Sequence, residues 1–575
     1  MTQINNRRGI ASLIMITALV ISFMLGSLGL QHGIGQASPG TRPLTYQELV
    51  KRIAAHHKAP FQGNVQQSSQ VAKTNSQKIS QPPHAPSKHQ SNVKVNQDLN
   101  PWAKVDVAAA INPLNGQDYL VMSTDARENY SHSFYHISTT GGRSWSDDAL
   151  PPGIDQATNS QYVIQTDPGV AFDSNGHSFL SSISSNTIST PDGSYANYDN
   201  EIDLVQGYNN GTYTYTSATP VDYAPCNGQT NGNGVFYCPG QLTKPAITID
   251  NGAKSPNKNS IYVYYTYFCS GVPQLATDTP TTTSDTPTPA GSKKAQNSGG
   301  GPYEPDGPCI QDGLTIAPNT SVILAAQSSG AGLPFSTPKL VSGVFSQAEF
   351  GSMVIDSHGT PHIFFDDFTS YPTVHIYEST LQNGNWTTNI QPLTTLLYNQ
   401  SPSYWYFGSY TSVAPSCTGY KDLAYCTVSA SQIGNLPLVA TPDIYLLKIN
   451  TITNSAAEPV QINNDPNNGT KYHFNPWPAV SSKGFVYVGW YDSRHDPLNT
   501  RLEYFVGKSI DGGKTFSKQQ AISDQPFNPC ANNFGCTWFG DYDQLAIGPD
   551  DIVHAIWSDT RDGVGIQLYT QAIKW

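Results

Sequence analysis

The chain has 575 residues and a formal charge of −12, with only 13% of its residues charged. Hydrophobic residues make up 38%, and 32 Tyr, 48 Gly and 42 Pro crowd the rest, enough for a sizeable core and against wholesale disorder. The acidic balance argues against a nucleic-acid binder, which needs basic clusters to neutralise phosphate. Helical bundles and coiled coils run on Ala, Glu, Lys, Leu and Arg, so many short strands and turns fit this composition better. Abundant uncharged hydrogen-bonding side chains also suit an acidic exterior, where carboxylates lose charge and hydroxyls do not.

Arg7-Arg8 followed by the uncharged apolar run Ile10–Leu30 reads as an export signal, with Gly35 and Ala37 suiting cleavage after Ala37. The run is also long enough to stay as an uncleaved membrane anchor over residues 1–37. Both readings place the rest outside the cytoplasm, secreted or held at the cell surface, with the membrane touched only through that segment. Residues 38–100 read as a linker or stalk, because Gln62–Gln97 carries too little apolar surface to order itself. A short helix over Tyr46–His56 would interrupt it, and its scattered histidines (His56, His57, His84, His89) read as ordinary linker residues.

Strand signals recur from Trp102 to the C-terminus in seven units. Their second strands read as Asp118–Thr124, His177–Ser182, Ile261–Phe268, Thr360–Asp366, Ala424–Ala430, Gly484–Tyr491 and Asp551–Ser558. Such a period in an all-β chain implies four-stranded antiparallel blades around an axis, a β-propeller over residues 101–575. Seven blades are expected, or six if the weak fifth unit is an insertion. The last unit ends at its third strand, Gln567–Trp575, and a segment near Ser91–Asp98 could supply the missing outer strand and remove the open edge.

The eight cysteines are an even count in an exported chain, which predicts disulfides. Sequential pairing closes the shortest loops: Cys226/Cys238, Cys269/Cys309, Cys417/Cys426 and Cys530/Cys536. The Thr/Pro/Ser/Gly tract Thr277–Gly301 reads as a low-complexity loop stapled at its base by Cys269 and Cys309.

Ser509-Ile-Asp511-Gly-Gly513-Lys-Thr515-Phe516 is the clearest local motif, and Ser138-Thr-Thr140-Gly-Gly142-Arg-Ser144-Trp145 repeats it. Asp and Ser accept backbone N–H bonds, Gly permits positive φ, and the aromatic plugs a gap between sheets. Degenerate copies fall at Ser328–Phe335 and Ser379–Trp386. The motif resembles the Asp-box, or bacterial neuraminidase repeat, of sialidase-like propellers, over roughly Trp102–Trp575. The resemblance implies structural turns between third and fourth strands, on the face away from an active site. It also implies a substrate carboxylate held by three arginines, a Tyr nucleophile with a Glu partner, and an Asp acid/base. The Arg-Ile-Pro signature of that family is absent.

Loops on the opposite face follow the second strands and lead into the first. Three second strands end in Asp-x-Arg: Asp125-Ala-Arg127, Asp492-Ser-Arg494 and Asp559-Thr-Arg561. The chain has nine Arg, only five of them beyond the linker, and three of the five occupy this one slot. Two explanations stand side by side. Each pair could lock neighbouring blades, with Trp490 and Trp557 as wedges, or Arg127, Arg494 and Arg561 could converge with Asp125, Asp492, Asp559, Tyr491, His495, Asp366 and Asp367 on a ligand. Loops into the first strands add Asp167, Lys244, Glu349 and Gly540-Asp541-Tyr542-Asp543. For a glycosidase, Asp541, Asp543, Asp496 and Tyr542 (with Asp366, Asp367 and Asp562) supply the carboxyl and phenol groups. Clustered Asp would suit calcium, although no loop has calcium-loop spacing; no other cofactor or metal ligand set is expected. The reading is therefore an exported, monomeric propeller that engages a glycan or another extracellular ligand, or a sialidase-like glycoside hydrolase on the same face.

Overall fold

Runs such as Tyr119–Asp125, Pro361–Asp367, Val486–Asp492 and Val553–Asp559 are buried at every position. A strand buried on both sides of its sheet lies between packed layers rather than at a surface. In this computed structural model those runs are the second strands of seven antiparallel sheets. The structure describes residues 91–127, 131–189, 195–207, 213–225, 229–230, 236–237, 240–269, 308–343, 345–370, 373–397, 414–439, 441–465, 471–532, 540–563 and 565–575. Structural statements below concern these residues, among which there is no helix.

Blade one pairs Lys104–Ile111, Tyr119–Asp125, His132–Ser138 and Ser146–Ala149 in that order. Blade two runs Ile164–Phe172, Ser178–Ser189, Tyr195–Gly207, Ala218–Ala224; blade three Gly240–Ile249, Ile261–Cys269, Thr320–Ser328, Lys339–Leu340. Blade four begins Ala348–Ile355, Pro361–Asp367, Thr373–Gln382 and is extended by Thr394–Leu397 and Gln432–Ile433. Blade six runs His473–Val480, Val486–Asp492, Glu503–Ser509, Lys518–Ala521. The fifth unit is a blade in its own right: Ser416–Tyr420, Leu423–Ala430 and Asp443–Asn450, edged by Ser455–Ala456 and Val460–Gln461. The six-bladed alternative falls on that observation.

First strands touch their neighbours in ring order, and the ring closes between Lys104–Ile111 and Gln544–Ile547. Blade seven holds Gln544–Ile547, Val553–Asp559 and Gln567–Ile573, and its outer strand is Val93–Lys94, paired with Thr570 and Tyr569. The segment offered for closure therefore does close the ring, which joins the two ends of the propeller and covers its last sheet edge.

Large side chains fill the seams between blades, with Trp490 and Trp557 fully buried. Cys269–Cys309 and Cys417–Cys426 are disulfides, the second directly across the first two strands of blade five. Cys530 is also disulfide-bonded. Cys226, Cys238, Cys536, the tract Thr277–Gly301 and residues 1–90 lie outside the described residues, whereas Ser91–Asn100, the end of the stretch read as linker, belongs to the propeller. Disulfides of this kind persist in oxidising, extracytoplasmic surroundings.

The Asp-boxes close turns between third and fourth strands. Asp511 Oδ1 accepts from Ser509 Oγ (2.7 Å) and from the N–H groups of Lys514 and Thr515 (3.0 Å each), while Gly513 N donates to Ser509 Oγ. Gly512 and Gly513 sit at φ 71° and 84°, where a Cβ is strained. Phe516 plugs the seam between blades five and six, as Trp145 does between blades one and seven.

Candidate functional site

Five innermost strands carry a bulge near their first residues, at Asp106, Asp167, Lys244, Phe350 and Asn475, with φ of 49° to 54°. A bulge adds one unpaired residue and re-aims its side chain. Neighbouring blades help to hold it: Asp167 N donates to Thr124 Oγ1 and Phe350 N to Thr266 Oγ1, threonines of the preceding blade's second strand. Because all first strands begin at one end of the ring, the bulges place side chains around the axis at that end, opposite the Asp-boxes.

In blades one, two and three the bulge residues are charged, and they meet Asp541 from blade seven. Lys244 Nζ donates to Asp167 Oδ1 at 3.1 Å and also binds Asp541 Oδ2. The backbone N of Asp541 donates to Asp106 Oδ1 at 2.8 Å. Tyr542 donates to the carbonyl of Pro168 at 3.1 Å, presents its ring 5.8 Å from Lys244 Nζ, and lies 6.4 Å from the Trp477 ring. Two carboxylates thus share one ammonium, a third carboxyl is tied to the same loop through the Asp541 backbone, and two aromatic rings lie alongside.

The electrostatics separate these groups. Burial, then the charge of Asp541, pushes the Asp106 carboxyl up to about 8, so it holds its proton at neutral pH. Burial works against the Lys244 ammonium, but Asp167, Asp541 and Asp106 outweigh it and hold its pKa well above the ordinary lysine value. One proton-bearing acid therefore lies beside a fixed ion-pair network at the mouth of the axis.

The other residues named from sequence lie elsewhere. Each Asp-x-Arg folds on itself: the Arg N–H donates to Asp Oδ1 at 2.7–2.8 Å and its Nε to Oδ2 at 2.8–2.9 Å. The guanidiniums then run outward over rings of the third strand, 4.0 Å from Phe134, 4.4 Å from Phe505 and 4.2 Å from Tyr569. They end on Asp147, Gln519 and Asp524 near the outer strands. Trp490 and Trp557 donate to Asp492 and Asp559. Arg127 also reaches Asp98, and Arg494 also reaches Asn464, in the segments that arrive from the preceding blade, so the three arginines are engaged within and between blades and do not meet at the axis.

Asp543 and Tyr491 are buried at the seam of blades six and seven, where Ser558 N donates to both. Burial pushes Asp543 up to about 7. Asp496 caps its own loop, accepting from the N–H groups of Leu498, Thr500 and Arg501. His495 pairs with Glu503 at 2.6 Å, and Asp367 accepts from Thr369. Asp366 lies across the strand pair from Glu349, both buried, and neither Asp366 oxygen has a hydrogen-bond partner among the described residues.

Sequence reading found Asp167, Lys244, Asp541 and Tyr542 but passed over Asp106. Its one signal is a lone Asp inside the apolar start of blade one, Val105-Asp106-Val107.

Removing a lock should cost stability. Arg494→Ala leaves Asp492 buried and without its charge-assisted hydrogen bonds from a partly exposed guanidinium, so a loss of about 2 kcal/mol is expected in denaturant unfolding. An unchanged unfolding midpoint would contradict the lock.

No protein-family model matches the sequence, and no curated protein does. The structure resembles solved propellers distantly. It matches the Hadza microbial sialidase Hz136 at 11% identity and TM-score 0.39, over 77% of this chain and 73% of that one. It matches a Penicillium chrysogenum α-L-arabinanase complexed with arabinobiose at 10% identity and TM-score 0.38, over 70% and 93%. A polysaccharide lyase, the PL25 ulvan lyase, aligns at 10% identity and TM-score 0.41, over 84% and 94%.

Proposed function

We propose that the chain is an exported or surface-tethered propeller that engages glycans at the axial mouth formed by Asp106, Asp167, Lys244, Asp541 and Tyr542. The observation that carries this reading is the gathering of four ionisable groups from four blades at one end of the axis, beside Tyr542 and Trp477. Carboxylates and an ammonium hydrogen-bond sugar hydroxyls, and aromatic rings stack on the apolar faces of sugar rings. Residues 1–37 serve as signal or anchor, the linker follows, and the propeller acts as a monomer. The Asp-x-Arg corners lock their blades and hold the rim in shape.

A second reading, a glycoside hydrolase on the same face, is favoured by one feature. Asp106 keeps its proton while Lys244 pairs with its neighbours, the split between acid and anion that glycoside cleavage uses.

A glycan array and a panel of fluorogenic glycosides, run on wild type and Asp541→Asn, separate the two. The binder reading expects array signals that drop about tenfold or more in the variant, with no turnover on any glycoside. Turnover that Asp541→Asn abolishes would establish the hydrolase, and no array signal above background would overturn the glycan reading.

A further inference from the structure

At the box-bearing end of the ring, each turn between first and second strands reaches toward the next blade. Ser174 donates to Asn259, and Ser482 to Asp551, across two of these seams. The seam of blades four and five repeats the staple, with Ser357 Oγ donating to Asp422 Oδ1 at 2.5 Å, and adds two imidazoles. His358 Nδ1 lies 3.8 Å from Asp356 Oδ2 and 3.6 Å from Asp422 Oδ1, and one ligand atom from each of the three residues lies within 4.8 Å of the others.

A second observation points the same way. His362 is 1% exposed, and its Nδ1 is held by Glu378 Oε1 at 2.8 Å. Its Nε2 has no hydrogen-bond partner among the described residues, and Asp356 Oδ2 lies 3.5 Å from it. With Nδ1 held by Glu378, Nε2 is the ring nitrogen turned toward Asp356, so a buried imidazole lies directly behind the carboxylate that faces His358 and Asp422. A carboxylate-held histidine is also how proteins orient groups around a metal.

We infer that Asp356, His358 and Asp422 form a divalent-cation site that clamps blades four and five, with His362 supporting Asp356 from beneath. One imidazole with two carboxylates suits zinc, whose bonds of about 2.0–2.2 Å set tetrahedral ligand atoms roughly 3.3–3.6 Å apart. The separations at His358 reach that range after a shift of a few tenths of an ångström. Asp356 is already positioned, since its Oδ1 accepts from the N–H groups of His358 and Thr360 and its Oδ2 stays available. His358 is exposed and Asp422 half-buried, so the ion has a path from solvent.

The test is calorimetric titration of the chelator-stripped full chain with Zn²⁺ alone, alongside melting curves with and without the ion. The expected result is one tight site per chain and a higher melting temperature that chelator reverses. His358→Ala and Asp422→Asn should each weaken that site more than tenfold, and His362→Gln by about tenfold. The site lies at the end opposite the glycan mouth, so glycan binding should not change in these variants. Absence of binding would overturn the inference. Zinc affinity unchanged in both ligand variants would do the same, since it would place the ion on other histidines of the 14 in the chain. Binding of Ca²⁺ but not Zn²⁺ would contradict an imidazole ligand.

Discussion

The melting temperature is expected to peak in mildly acidic solution and to fall as the pH rises toward 9. Burial raises the carboxyl pKa of Asp222 and Asp543 to about 7, of Asp106 and Glu349 to about 8, and of Glu201 to about 9. An acid raised in the folded state contributes its stability fully below its ordinary value near 4. That contribution is lost as the pH climbs through the folded value, because the unfolded chain ionises first. His473 adds a loss of the same sign. Burial opposes its charge, but Asp492, Asp443 and Asp465 outweigh that and raise it to about 10, so its support is complete below about 6.5 and fades through 10. Asp496 and Asp98 are held below the usual range, so their support disappears only at strongly acidic pH. Each raised group costs up to ~1.4 kcal/mol per pH unit within its window. A fall of at least several degrees between pH 5 and pH 8.5 is expected. Asp366→Asn, which removes a buried carboxyl without partners, should lift the curve mainly at the alkaline end. A flat profile, or one rising from pH 5 to pH 8, would contradict these buried acids.

Lys244→Met should be the most damaging single substitution at the axis. The ammonium lies between Asp167 and Asp541 with its side chain only 8% exposed, so its loss leaves carboxylates crowded without a counter-charge. Breaking such a pair costs roughly 3–5 kcal/mol. Lys244→Arg should recover part of it. Denaturant unfolding of both variants at pH 7 checks the two statements. Equal stability of Lys244→Met and wild type at pH 7 would show that the cluster is not held by this ion pair.

Much of the architecture could be read before any coordinates because propeller physics repeats itself. Seven apolar second strands, the closing segment at Val93–Lys94 and the pairs Cys269/Cys309 and Cys417/Cys426 all follow from local pattern and short loops. The Asp-x-Arg corners were legible as a repeat, but which way the guanidinium points was not. That direction is set by an aromatic two residues beyond the cross-strand partner of the Asp, Phe134, Phe505 or Tyr569, which only register reveals. Asp106 escaped because a bulge interrupts the two-residue alternation on which strand reading depends. The site of Asp356, His358 and Asp422 joins turns from two blades, a proximity that no spacing along the chain announces.

The proposed function requires sugar to bind at the axial mouth. The direct measurement is a crystal of the propeller soaked with the oligosaccharide that gives the strongest array signal. Density for a sugar ring against Tyr542, within hydrogen-bond reach of Asp541 and Lys244, is the expected result. A sugar seated instead over Arg127, Arg494 or Arg561, or at the box-bearing end, would contradict it.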